Sequence, residues 1–289
     1  MVTLNLVNPS DSRIEYKVSK FPDGQQTIDL LTTVPGLFNG NSIQIKSRLN
    51  SFKDLELIIC ANQAIRNLGC KDVHLHVPYF LGSRSDRKFQ EGGVNYLKQV
   101  ICPIINGQNF SSVTVMDPHS DVLEACLNNF VKTDNHQLVK WSLTQIDNRD
   151  GAQDRICLVS PDAGAYKKIF DVAKKFKIER IITATKVRDM VTGNILRTEI
   201  PVLDQHNKLT YVIIDDICDG GRTFLELAKV IKEGRPTAKV YLIVTHGIFS
   251  AGFKSLNEYI DGTFCTNSYR DVVDDEYEEK TNVKCLNVF

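Results

Sequence analysis

The chain has 289 residues, 42% of them hydrophobic and 24% charged, and its 35 basic and 35 acidic side chains cancel to a formal net charge of zero. That length suits two domains of ordinary size, and the even charge balance excludes a nucleic-acid binder working through bulk positive potential. Eight cysteines without a C-x-x-C pair exclude the common zinc spacings, no run of about 18 apolar residues is present to span a membrane, and Met1 to Ser10, broken by Asn5, Asn8 and Pro9, does not read as a signal peptide. The expectation is a cytoplasmic chain with reduced thiols and neither nucleic acid nor membrane as a partner.

In chain order, the first 50 residues read as strands separated by turns at Pro22-Asp23-Gly24 and Phe38-Asn39-Gly40. The stripe Leu55, Ile58, Ile59, Asn62 and Ile65 predicts a helix over 51–68 that stops at Gly69. Val73, Leu75 and Val77 alternate with His74 and His76, a strand whose histidines read as structural. A helix is expected over 93–104, a short strand over 112–116 and a helix over 121–130. The polar stretch 132–154 reads as a connector, with Trp141 there for packing, and places a domain boundary at 140/141. Beyond it the pattern predicts strand 155–160, helix 163–176, strand 180–185, strand 209–215, helix 223–233 and strand 239–245. Strands alternating with helices of this length imply mostly parallel sheets flanked by helices, and so two similar α/β domains, 1–140 and 141–289.

The segment Val212-Ile213-Ile214-Asp215-Asp216-Ile217-Cys218-Asp219-Gly220-Gly221-Arg222-Thr223 carries the most chemistry. An apolar strand ends in two carboxylates, a glycine turn follows, and Phe224, Leu227, Ala228 and Ile231 then recur at helical spacing. Backbone N–H groups of such a turn and of a helix start bind phosphate, while carboxylates accept hydrogen bonds from hydroxyls. That combination suits a sugar phosphate. The other polar clusters also follow strands: Arg84, Asp86 and Arg87 after Pro78-Tyr79-Phe80; Asp117 and His119; Asp162 after Ser160-Pro161; Lys186 and Arg188. Taken singly, His119 reads as a hydrogen-bonded structural residue, Lys186 and Arg188 as solvated loop charges, Asp162 as a turn or N-cap residue, and the Asp215-Asp216 pair as a helix cap. Their common placement at strand ends favours one site, in which carboxylates and a histidine hold a divalent metal and the cations neutralise a transferring phosphoryl group. The chain contains no G-x-x-x-x-G-K-[ST], G-x-G-x-x-G or H-E-x-x-H pattern.

Taken together and in this order, the motifs resemble those of the ribose-phosphate pyrophosphokinases, from about Phe21 to Phe253. Phe21-Pro22-Asp23-Gly24, with Gln25 next, resembles an F-S-D-G-E element that reads adenine, often from a neighbouring subunit. Pro78-Tyr79-Phe80 through Arg84-Ser85-Asp86-Arg87 resembles an ATP-binding P-Y-x-x-x-x-R-Q-D-R. Met116-Asp117-Pro118-His119 resembles V-D-L-H and Ser160-Pro161-Asp162 resembles S-P-D, which implies His119 and Asp162 as contacts of a magnesium ion or its phosphates. Lys186-Val187-Arg188 resembles K-R-R, which implies Lys186 and Arg188 as catalytic. Asp215 to Thr223 resembles the sugar-phosphate loop D-D-x-x-D-T-G-G-T, and Thr245-His246-Gly247-Ile248-Phe249-Ser250 resembles T-H-x-x-F-S. The resemblance implies two phosphoribosyltransferase-like (type I) domains, ATP as co-substrate with Mg2+, and a homo-oligomer, either dimer or hexamer. The implied reaction moves the β,γ-diphosphate of ATP to the C1 hydroxyl of a ribose 5-phosphate moiety. Asp215 and Asp216 would hold ribose hydroxyls, and Asp219, Gly220, Gly221, Arg222 and Thr223 the 5-phosphate.

Three positions depart from the pattern: Gln25 stands for Glu, Ser85 for Gln, and the loop reads Asp219-Gly220-Gly221-Arg222-Thr223 where the family has D-T-G-G-T. Losing a Thr hydroxyl removes a donor to a phosphate monoester, and Arg222 adds a cation capable of bidentate phosphate bonds. That exchange points to ADP-ribose as an alternative acceptor, giving ADP-ribose 1-pyrophosphate for NAD+ synthesis. A phosphoribosyltransferase and a silent regulatory subunit are the remaining alternatives. Arg84, Asp86, Arg87, His119 and Lys186 speak against the first, and retention of Lys186, Arg188, His119 and Asp162 against the second.

Overall fold

The structure, a computed structural model, describes residues 1–31, 36–38, 40–150, 155–188, 195–200, 209–272 and 282–289. The chain divides into two units, Met1–Asp134 with Val288–Phe289, and Asn135–Asn287.

The first unit contains β1 (Val2–Asn5), β2 (Tyr16–Lys20), β3 (Gln26–Leu30), β4 (Ile43–Lys46), α1 (Phe52–Asn67), β5 (Val73–His76), α2 (Cys102–Asn106), β6 (Ser112–Met116), α3 (Val122–Cys126) and β7 (Phe130–Thr133). Five strands form a parallel sheet in the order β1-β4-β5-β6-β7, and β2 and β3 pair apart as an antiparallel hairpin. Helix α1 begins where the sequence says it should: the Ser51 hydroxyl accepts from the Asp54 N–H and the Asp54 carboxylate accepts from the Ser51 N–H. Such a reciprocal cap stabilises a helix by about 1 kcal/mol. Its buried face, Leu55, Ile58, Ala61 and Ile65, joins Ile43, Ile45, Val73, Leu75, Val113 and Val115 of the sheet in one core. His74 Nδ1 lies 2.7 Å from Ser112 Oγ and His76 Nε2 lies 3.2 Å from the Val288 carbonyl, structural roles for both. The turn at Pro22-Asp23-Gly24 forms, closed by Gly24 N–H donating to the Phe21 carbonyl at 2.9 Å, whereas Asn39 of the second expected turn lies outside the described residues.

Three expectations change here. The helix expected over 93–104 becomes a π turn, Leu97–Ile101, followed by α2. Pro103 has no N–H to give and its ring crowds the carbonyl four residues earlier, which the wider turn relieves. The helix expected over 121–130 stops at Cys126, and with Asn129 left-handed at φ 54° the chain turns into strand β7. The connector expected over 132–154 holds a 15-residue helix, α4 (His136–Asp150), within the second unit. Its Leu138, Val139 and Ile146 are buried, and Trp141 packs edge-on to Phe264 at 5.7 Å. The apolar spacing was present, but the intervening Gln, Lys, Thr and Asp residues diluted it.

After α4 the second unit continues with β8 (Ile156–Ser160), α5 (Tyr166–Phe176), β9 (Ile181–Thr183), β10 (Thr185–Arg188), β11 (Ile195–Glu199), β12 (Thr210–Cys218), α6 (Arg222–Gly234), β13 (Lys239–Gly247), α7 (Lys254–Tyr259), β14 (Gly262–Thr266) and β15 (Val283–Leu286). Among the described residues six strands make an all-parallel sheet in the order β15-β14-β13-β12-β8-β9. Both faces are covered, as parallel sheets require. Ile213, Val240, Leu242 and Val244 pack against Phe224, Leu227 and Ile231 of α6 and Leu256 of α7. Ile156, Leu158, Val212, Ile214 and Ile243 pack against α4 and against Ile169 and Val172 of α5. The strand expected over 180–185 is two: β9 ends at Thr183, and Thr185 opens an antiparallel ribbon with β11. Residues 273–281 lie outside the described residues. All eight cysteines are free thiols, and no helix among the described residues is long and apolar enough to cross a membrane.

Candidate functional site

The first unit gathers two strand-end loops. β5 and β6 are neighbours, and the Met116 N–H donates to the Pro78 carbonyl at 3.0 Å, so the loop after Pro78 and the loop holding Asp117 and His119 leave the sheet side by side. Tyr79 and Phe80 are buried and anchor the first loop. Ser85 is fixed through its backbone, donating to Gly82 and accepting from Leu97, and the Asp86 carbonyl accepts from Asn95 Nδ2 at 2.6 Å. Arg84 and Arg87 point outward, Arg87 lying 5.7 Å above the exposed Phe89 ring. Asp117 adopts the left-handed region at φ 41° and is buried, which lets the chain turn so that His119 stands exposed beyond it. Phe21, Asp23 and Gln25 sit at the tip of the β2–β3 hairpin, with Phe21 52% exposed. The hairpin is fastened to α1, where Gln26 Nε2 donates to the Lys53 carbonyl and to Glu56.

The second unit gathers Asp162, Asp215, Asp216 and the glycine loop. Strand β12 runs on to Cys218, three residues beyond the expected end at Asp215, because β13 pairs it as far as Gly247. Asp215 and Asp216 therefore belong to the strand. Asp216 faces α5, and its Oδ2 accepts from Lys168 Nζ at 3.3 Å. Lys168 joins the candidate site through this contact, which motif reading missed; as one of two adjacent lysines on a helix it carried no signal. Burial away from water, followed by the negative charges of Asp216 and Asp162, pushes the Asp215 carboxyl well above its ordinary value of 3.8. The pair thus splits its roles: Asp216 is ion-paired with Lys168, and the Asp215 carboxyl holds its proton more tightly than a free aspartate does. The Asp162 Oδ1 accepts from the Gly164 and Ala165 N–H groups at 3.0 and 3.1 Å and so shapes the approach to α5.

The loop that follows is shaped by Gly221. Its φ of 76° is left-handed, and an added Cβ would lie 3.0–3.2 Å from Leu256. Helix α6 starts at once: its Phe224 and Leu225 N–H groups donate to the Gly221 carbonyl at 3.0 Å, and the amides ahead of them open the helix N-terminus. A helix N-terminus of this kind favours an anion. Thr223 is half-buried in that turn, while the Arg222 side chain is 79% exposed and bonded to Glu226 at 2.7 Å. Cys218 is fully buried, and burial above all pushes its thiol up to about 12. Lys186 and Arg188 lie on β10, but their side chains fall outside the described residues. Among the described residues no three His, Cys, Asp or Glu side chains form a metal-holding group.

The raised Asp215 value has a testable sign. The native state holds a proton there that the unfolded chain releases above about 3.8, so native stability is intact below that pH and falls as pH rises through the raised native value. Asp215→Asn should therefore melt higher than the parent, by a margin that widens from about pH 4 upward. A melting series across pH with a constant margin would contradict this assignment.

No family model matches the sequence. Curated proteins do. The chain is 28% identical over 235 residues to a ribose-phosphate pyrophosphokinase of Marinomonas sp. (strain MWYL1), covering 81% of this chain and 71% of that one. It is 25% identical over 242 residues to the enzyme of the same name from Mycoplasmopsis pulmonis, covering 83% and 70%, and 26% identical over 223 residues to that of Saccharolobus solfataricus, covering 75% and 71%. The crystal structure of phosphoribosylpyrophosphate synthetase from Mycobacterium smegmatis superposes with a TM-score of 0.78 over 96% of this chain and 88% of that one. At 15% identity that likeness speaks to fold alone.

Proposed function

We infer that this chain, a divergent member of the ribose-phosphate pyrophosphokinase family, transfers the β,γ-diphosphate of ATP to the C1 hydroxyl of a ribose 5-phosphate moiety and releases AMP. One observation carries the reading: Asp215 to Thr223 sets a carboxyl pair beside a left-handed glycine turn and the start of α6. The carboxyls suit the ribose hydroxyls, and the amides suit the 5-phosphate.

In this reading the first unit serves ATP. Phe21 offers an exposed ring for the adenine with Asp23 and Gln25 beside it, Arg84 and Arg87 offer cations for the phosphates, and Ser85 and Asp86 complete the ATP-binding loop. A ring displayed on a hairpin tip also fits service to a neighbouring copy in a homo-oligomer. The C1 hydroxyl oxygen attacks the β-phosphorus in line, the bond from that phosphorus to the α,β-bridging oxygen breaks so that AMP leaves with that oxygen, and the hydroxyl proton is lost to solvent or phosphate. The protein supplies position and opposite charge. Lys186 and Arg188 would meet the negative charge on the bridging and non-bridging oxygens. Magnesium, when bound, would neutralise the phosphates. A carboxylate such as Asp162, whose charge acts on Asp215, suits that ion, which typically takes one or two carboxylates plus phosphate oxygens.

A second reading rests on Arg222. Its contact to Glu226 is a surface pair four residues apart, worth roughly 0.5 kcal/mol, and is readily exchanged for a diphosphate oxygen. ADP-ribose presents such a group at its 5′ position. The test incubates the protein with ATP and Mg2+ and follows AMP release, and diphosphate mass gain on the acceptor, with ribose 5-phosphate and ADP-ribose side by side. AMP formed without any nucleobase separates this reaction from a phosphoribosyltransferase. Faster turnover of ribose 5-phosphate ends the ADP-ribose reading. ATP binding with no AMP from either acceptor would identify a regulatory subunit.

A further inference from the structure

We infer that Ser250 is a positioning residue for the acceptor's phosphate: its hydroxyl holds the Asp219 carboxylate turned away from the loop amides that receive that phosphate. The inference rests on the acceptor-binding role given above to residues 219–223. It starts from an awkward feature of the loop. An aspartate directly before two glycines can close a turn on the N–H two residues ahead, here that of Gly221, and its charge repels a phosphate. Ser250 Oγ donates to Asp219 Oδ1 at 2.6 Å, and Ser250 N–H donates to the Asp219 carbonyl at 3.2 Å. The two preceding residues grip the next position back, with Ile248 and Phe249 N–H groups donating to the Cys218 carbonyl at 2.8 and 3.1 Å. One turn therefore holds both residues that lead into the glycines.

The turn is itself forced into shape. Phe249 is a non-glycine residue at φ 49°, a conformation that persists only where the surroundings impose it. Here they do: Phe249 is buried, and its ring lies 4.6 Å from that of Phe253. Ser250, in contrast, is exposed. An exposed hydroxyl contributes little to stability, so its short bond to a carboxylate points to control of the loop.

Three proteins test this: the parent, Ser250→Ala and Ser250→Thr. Calorimetric titration with ribose 5-phosphate alone, without ATP, is paired with steady-state kinetics and thermal melting. Ser250→Ala should weaken ribose 5-phosphate binding and raise its KM roughly tenfold, the size of one hydrogen bond to a charged group, while the KM for ATP and the melting temperature hold. Ser250→Thr, which keeps the hydroxyl, should stay near the parent. Unchanged binding in Ser250→Ala overturns the inference whatever the turnover. So does an equal rise in both KM values with a lowered melting temperature, the mark of a merely structural residue, and so does a threonine variant as weak as alanine. Loss of binding in Ser250→Ala, with no turnover by the parent, would keep this inference and remove the proposed reaction. A parent that does not bind ribose 5-phosphate removes both.

Discussion

Lys186→Ala should lower kcat by about 10²–10³, roughly 3–4 kcal/mol of transition-state stabilisation, by analogy with loss of one preorganised oxyanion donor. Phosphoryl transfer asks little covalent chemistry of a protein, so a cation aimed at the developing charge carries a large share of the rate. Lys186 lies opposite Thr198 in the β10–β11 ribbon, next to a register shift between Val187 and Arg188. Such an irregularity re-aims side chains near active sites. Because the interaction belongs to the transition state, kcat and kcat/KM should fall together while both KM values change little. Rapid-quench measurement of AMP release at saturating ATP and acceptor reads this directly. Parent-like release by the alanine variant would remove Lys186 from the chemistry.

Gly247→Ala should lower the unfolding free energy by about 3 kcal/mol, at the upper end for overpacking a filled core. A Cβ at Gly247 would stand 2.1 Å from the Phe249 ring, which is itself buried against Phe253. The ring has nowhere to go without releasing the left-handed turn at φ 49°. Acceptor binding should weaken as well, since that turn bonds Cys218 and Asp219. Urea denaturation measures the first effect and ribose 5-phosphate titration the second. Adding Phe249→Leu should recover part of the stability, and a fully stable Gly247→Ala protein would contradict the packing argument.

The alternation of strands and helices was legible because two-sided burial writes continuous apolar runs such as Tyr211 to Ile214 and Val240 to Val244, which the structure buries throughout. Helix α6 was legible from the spacing of Phe224, Leu227, Ala228 and Ile231, all buried. What local pattern could not convey was competition from partners distant in sequence. β12 extends past Asp215 because β13 is there to pair it, and β14 and β15, with registers set by their neighbours, gave no independent signal. In the candidate site, motif reading picks out residues by their chemistry and passes over those marked only by what they touch. Lys168 matters through Asp216, and Ser250, though inside a recognised element, had no role until its bond to Asp219 was visible.

The β10–β11 ribbon stands outside the main sheet, and β11 packs on α6. Two strands alone are barely stable in water, so the ribbon depends on its support. α6 is pinned at its far end by Lys232, whose Nζ lies 2.7 Å from Asp261, and at its near end it forms the glycine loop. One rod thus props up the segment bearing Lys186 and also frames the glycine loop. Under the proposed function, fraying of that rod would impair turnover and acceptor binding together.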